Sequence, residues 1–147
     1  MRYGRVLSRL GRDEQAATEL HNVIESLNGL DTTTPESKGD SDLLQYFAGL
    51  FLGSAEEALG HFDLAQTAYA RSAALFPRSQ SARLALSQLS RRLGKREAAL
   101  DSIDSVFHFR NVDDETDPWW GYYRSQGRHV DDLLEDLGRP FLTVGAP

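Results

Sequence analysis

The sequence predicts an all-α protein assembled from antiparallel helical hairpins, and three observations predict it. A hairpin is written twice at a fixed offset: adding 34 to a residue number carries Ala48 to Ala82, Leu50 to Leu84, Leu52 to Leu86, Leu59 to Leu93, Gly60 to Gly94 and Ala65 to Ala99. Apolar residues recur at helical spacing, as in Leu43, Leu44, Phe47, Leu50 and Phe51. Turn formers fall between those stripes, with Gly60 and Gly94 inside the two hairpins and Pro77 just after Leu75-Phe76.

The repeated positions have physical content. Glycine at 60 and 94 suits the left-handed conformation that commonly closes a helix C-terminus. Ala65 and Ala99 are the small residues that let the second helix of each hairpin approach the first, opposite Gly53 and Ser87. Tyr69 and Ile103 stand four residues later on the same face and supply bulk. Small residue, glycine and bulky residue recurring together at a period of about 34 resemble the tetratricopeptide repeat. That resemblance implies a right-handed α-solenoid of about three repeats plus a divergent terminal hairpin.

Taken in order, residues 1–27 read as a degraded copy of the hairpin, with Gly4, Leu7, Gly11, Ala16, Leu20 and Val23 in the places of Gly53, Glu56, Gly60, Ala65, Tyr69 and Ser72. The offset here is 49, or 15 more than the period. Residues 28–41 (NGLDTTTPESKGDS) account for the excess and read as a solvated loop inserted between hairpins. The second hairpin is expected at 42–77, its first helix starting at Asp42, and the third at 80–109. These make a repeat array over 1–109, followed by a terminal hairpin and tail over 110–147. In the terminal part Asp117-Pro118 is a helix start, aspartate as N-cap and proline at the first helical position. A last helix carries Val130, Leu133, Leu134 and Leu137 on one face. The run DPWWGYYRSQGRHVDDLLEDL resembles the piece that follows the last repeat in some bacterial tetratricopeptide proteins, which implies a cap over an otherwise open apolar face. The first hairpin starts several residues short, as in a fragment or misplaced start of a longer protein, so a targeting segment upstream of Met1 stays open and the cytoplasm is only the default location.

Composition narrows the function. A net charge of −6 argues against a general nucleic-acid binder, which needs excess Lys and Arg to meet phosphates. No cysteine is present, so no thiolate can serve as metal ligand or nucleophile. No apolar run approaches the length of a membrane span. His21, His61, His108 and His129 have no paired spacing, and the acidic run Asp113, Asp114, Glu115 and Asp117 lacks the alternation and glycine of a calcium loop. No serine sits in a nucleophile elbow and no glycine-rich phosphate loop occurs. No catalytic, metal or cofactor site is therefore expected.

Tetratricopeptide proteins line a concave groove with the first helices of their hairpins. By that resemblance the groove residues are Arg5, Ser8, Arg9, Phe47, Leu50, Ser54, Glu57, Ser81, Leu84, Gln88, Arg91 and Arg92. The apolar members would anchor a bound peptide. The arginines either meet its acidic side chains or are simply solvated. The Lys/Asn set with which some family members clamp a C-terminal carboxylate is not matched. Among the aromatic residues, Trp119 and Tyr123 are expected to pack onto the third repeat, while Trp120 and Tyr122 are candidate outward anchors for a partner. The expected function is a non-catalytic scaffold module binding a protein or peptide. The alternative is a regulatory or assembly domain of a longer enzyme or secretion- or envelope-related protein, its active part upstream of Met1.

Overall fold

A computed structural model describes residues 10–29, 34–108, 117–119 and 121–122, all of them in helices, turns or short connections. Five helices of eight or more residues lie among the described residues: α1 (Asp13–Asn28), α2 (Pro35–Ala58), α3 (Phe62–Leu75), α4 (Gln80–Arg92) and α5 (Arg96–His108). Each packs on the next, and α2 also touches α4. The protein is all-α over these residues, and none of their helices is long and apolar enough to cross a membrane.

The α2–α3 hairpin forms because a three-residue turn reverses the chain and small residues allow close approach. Ser72 Oγ donates to the Tyr46 carbonyl at 3.0 Å, and the Tyr69 hydroxyl donates to Glu57 at 3.1 Å. Contacts thus run backward along α3 as they run forward along α2, which makes the pair antiparallel. Gly53 faces Tyr69 so closely that a Cβ there would clash with the edge of the tyrosine ring, and a Cβ on Gly49 would meet Ser72 Oγ and stand 3.2 Å from the Ala68 carbonyl. In the next hairpin Ser87, one period after Gly53, donates to the Ala99 carbonyl at 2.7 Å. Ala65 and Ala99 are both buried, as their shared place in the period predicts.

Both hairpin turns are built alike. Gly60 and Gly94 have φ of 79° and 72°. The Gly60 amide donates to the Glu57 carbonyl and the His61 amide to that of Glu56; Gly94 donates to Arg91 and Lys95 to Ser90 in the same way. This double pattern is the Schellman closure, which satisfies carbonyls that a helix end would otherwise leave open. Gly11, with φ of 70°, holds the matching place before α1.

The start of α2 departs from the expected loop at 28–41. Pro35 opens the helix, and Thr34 caps it by accepting from the Ser37 amide at 3.2 Å. Ser41 is buried rather than part of a loop. A polar composition suggests solvation, but threonine before proline is a helix-start signal in its own right, and here the cap prevails. The turns of α2 before Ser41 are largely exposed, so their polar character fits a surface helix as well as a loop.

Two clusters make the core. Ala16, Ala17 and Leu20 of α1 meet Ala48, Leu52 and Ala55 of α2, with Ala68 of α3 beside them. Tyr46, Phe47 and Leu50 of α2 meet Ala65 and Tyr69 of α3 and Ala82 and Leu89 of α4. The expected first helix of the opening hairpin, with Arg5, Ser8 and Arg9, lies outside the described residues, as do Trp120, Tyr123 and the helix expected at 129–137.

Candidate functional site

Phe47 is one of the residues of α2 expected to line a groove, and a segment of the same chain lies on it and on its neighbour Phe51. The Trp119 ring is centred 6.4 Å from Phe47 and 5.7 Å from Phe51; the Tyr122 ring is 5.0 Å and 5.7 Å from the same two. Trp119 and Tyr122 are themselves 5.7 Å apart. Tilted rings at these separations suit the opposed edge and face charges of aromatics, beyond the area they bury. Three residues apart on helical backbone, the two side chains project to one side, which is why both reach α2.

Asp117 fixes the start of this segment. Its Oδ2 accepts from the Gln80 amide at 2.9 Å and from the amide and hydroxyl of Ser81, both at 2.8 Å. Its Oδ1 accepts from the Tyr46 hydroxyl and from the Trp119 amide, each at 2.9 Å. One carboxylate therefore caps two helices: its own short one, as the sequence predicts, and α4, which begins 37 residues earlier. Asp117 is only 3% exposed, and its charge is met by five N–H and O–H groups and by the positive end of the α4 dipole.

Tyr46 completes the arrangement. Its hydroxyl also lies 3.0 Å from Ser79 Oγ, and its ring makes edge contacts with Phe47 and Phe76. Burial and the neighbouring Asp117 charge push the hydroxyl well above the ordinary tyrosine range. It stays a donor at physiological pH, which a carboxylate acceptor requires.

The expected groove residues divide into three groups. Phe47 and Leu50 are buried, Phe47 beneath the aromatic segment, so neither is a free anchor. Glu57 and Arg92 are engaged with each other across the two hairpins, and Arg92 stands 5.9 Å over the Phe62 ring. Glu57 also accepts from Tyr69, whose hydroxyl burial and this carboxylate push upward. Arg92 is therefore tied to its own chain instead of being held ready for a partner's acid. Ser54, Leu84, Gln88 and Arg91 are exposed, and the last three stand at i, i+4 and i+7 along one side of α4.

Two expectations for the aromatic cluster are corrected. Tyr122 does not point outward as an anchor; it packs on Phe47 and Phe51, because its spacing from Trp119 puts both on one face. Trp119 meets the second hairpin, where expectation placed it on the third. Asp117 is what reaches the third hairpin. Tyr46 and Glu56 escaped sequence reasoning. Glu56 is a buried carboxylate whose oxygens lie 2.8 Å from His61 Nδ1 and 3.4 Å from His21 Nε2. Its signal was position: Glu56 and His61 are the pair that the Schellman closure brings together, where an apolar contact is more usual. No group of three or more metal-ligating side chains occurs among the described residues.

Behind α2, half a turn from the aromatic face, a cleft of about 360 Å³ runs between α1 and α3. Gln45, Gly49, Leu52 and Glu56 form its floor, with Ile24, Leu64 and Arg71 among its walls.

No protein-family model matches the chain, and no curated protein is similar to it in sequence.

Proposed function

We propose that this chain is a non-catalytic scaffold that binds a protein or peptide segment across α2 and α4, and that its hairpins stack as a right-handed tetratricopeptide-like solenoid with these two helices on the inner side. One observation carries the reading: this face already holds a segment from outside the repeats, by two tilted aromatic rings and a carboxylate on a helix N-terminus. The repeat period and the paired glycine turns support the architecture. The exposed line Leu84, Gln88 and Arg91 continues the surface beside the occupied part, with an apolar residue to anchor and a cation to steer.

Leu50 is buried, so a charge there would test folding and not binding. The informative variants are Leu84→Asp and Arg91→Glu, with Thr67→Glu on the α3 side of the cleft as the surface control. Immobilised protein is exposed to lysate of the source organism. Loss of the same partners in the first two, with retention in the control and unchanged circular dichroism in all three, is the expected result. Equal capture by all would move the interface away from α4.

A further inference from the structure

We infer that the α2–α4 face is a receptor for a segment of defined chemistry, an aspartate followed by aromatic residues two and five positions later, and that residues 117–122 occupy it in cis as a displaceable stand-in for such a segment on a partner protein. The inference rests on the peptide-binding reading above and names the ligand that reading leaves open.

The receptor has two subsites of different character. The first is polar: the amides of Gln80 and Ser81, the Ser81 hydroxyl and the Tyr46 hydroxyl converge on one carboxylate. Three of these donors, at the start of α4, would otherwise turn to water or stay unpaired, and the fourth would have only Ser79, so an acidic residue is the fitting occupant. The second is apolar: Phe47 and Phe51 present rings to Trp119 and Tyr122. Trp119 and Tyr122 are only partly buried, so the aromatic part of the segment lies on the face and is not threaded through the core. Removing it would leave the α2–α3 and α4–α5 hairpins with their own contacts, including Tyr69 to Glu57 and Ser87 to the Ala99 carbonyl.

Tethering explains why the cis segment holds the site. Eight residues separate His108, the end of α5, from Asp117. A short tether gives the segment an effective concentration on the order of millimolar, so a free peptide of the same sequence competes poorly until the cis contacts are weakened. A partner succeeds by improving on those contacts or by engaging the exposed Leu84 and Arg91 as well.

The test uses the full chain and a labelled synthetic peptide with the sequence of residues 112–124, followed by fluorescence anisotropy. Trp119→Ala/Tyr122→Ala removes the aromatic contacts and leaves Asp117 to hold the cis segment alone, so α4 stays capped until the aspartate of a peptide displaces it. This variant should bind the peptide at least about tenfold more tightly than wild type does, since its site is free for a larger fraction of the time. A peptide changed to Asn at the position of Asp117 should lose most of that binding. Asp117→Asn in the full chain, which preserves the shape of the cap, is the second receptor and should also gain affinity over wild type. The idea is overturned if neither folded variant binds the peptide, if wild type binds as well as the variants, or if the peptide's aspartate makes no difference. Concentration-dependent dimers of wild type with no binding of peptide to the variants would likewise overturn it, by making a second copy the occupant. Failure here with partner capture still dependent on Leu84 and Arg91 removes only the ligand chemistry; failure of both removes the peptide-binding reading.

Discussion

Asp117 shows how much a single side chain can hold. Replacing it with Ala would leave the amides of Gln80 and Ser81 without their acceptor and turn the Tyr46 hydroxyl to Ser79 alone, and a lost cap together with unpaired donors costs about 2 kcal/mol. Urea denaturation should show that loss, and should show Arg92→Ala to be much milder, because the guanidinium of the Glu57 pair is largely exposed and such pairs contribute about 1 kcal/mol or less. Ala65→Leu should cost about 1–3 kcal/mol by overpacking a fully buried contact, and unchanged thermal stability would remove the close-approach argument. The two buried tyrosines predict a pH dependence. Their hydroxyls are raised in the folded chain, so the stability they contribute is complete below the ordinary tyrosine pKa of about 10 and is lost as pH rises beyond it. Thermal melts between pH 8 and 11 should therefore fall at the alkaline end, and less steeply in Tyr69→Phe. At this scale the sequence was legible where a residue's role repeats, as for Gly60 and Gly94 or Ala65 and Ala99. It was opaque where a role depends on a distant partner: the local cap by Asp117 could be read from Asp-Pro, but its bonds to Tyr46 and Ser81 span 71 and 36 residues and leave no local signal.

Among the elements, the ends of α3, α4 and α5 fall within a residue or two of where periodicity puts them, because glycine turns and Pro77 bracket the apolar stripes. The start of α2 was misplaced for an identifiable reason. Its first turns bury little, so no stripe marks them, and only the Thr34-Pro35 cap declares the helix. Thr34→Ala should accordingly lower helix content and cost about 1 kcal/mol, measurable by circular dichroism and urea titration. No loss at all would mean that the first turns of α2 are held by something other than their cap.

On the scale of the whole molecule, the two hairpins are joined by three kinds of tie: the Leu89 and Ala82 core, the Glu57–Arg92 bridge, and the segment at 117–122 that touches both. A chain ending at residue 109 would lose the third, uncovering Phe47 and Phe51 and leaving α4 uncapped. Dye binding and a lowered melting temperature are the expected readouts, and an equally stable, non-sticky truncation would show the segment to be an appendage. The all-helical build and the likeness of the α2–α3 and α4–α5 hairpins were legible because each restates the same local rules. The face on which this segment lies was legible as a surface, but its occupancy was not, since nothing in a repeat period says what lies across it.

The cap of α4 comes from a residue made later than the helix it closes. Local contacts close the α2–α3 and α4–α5 hairpins without Asp117, so until the segment docks the two hairpins share an open helix end and a bare pair of phenylalanine rings. Closure is a long-range event, and its loop entropy opposes it until the contacts of Asp117 form. Local hairpin closure should therefore outpace docking of this segment, and any partner that matches the segment competes best in the interval between the two.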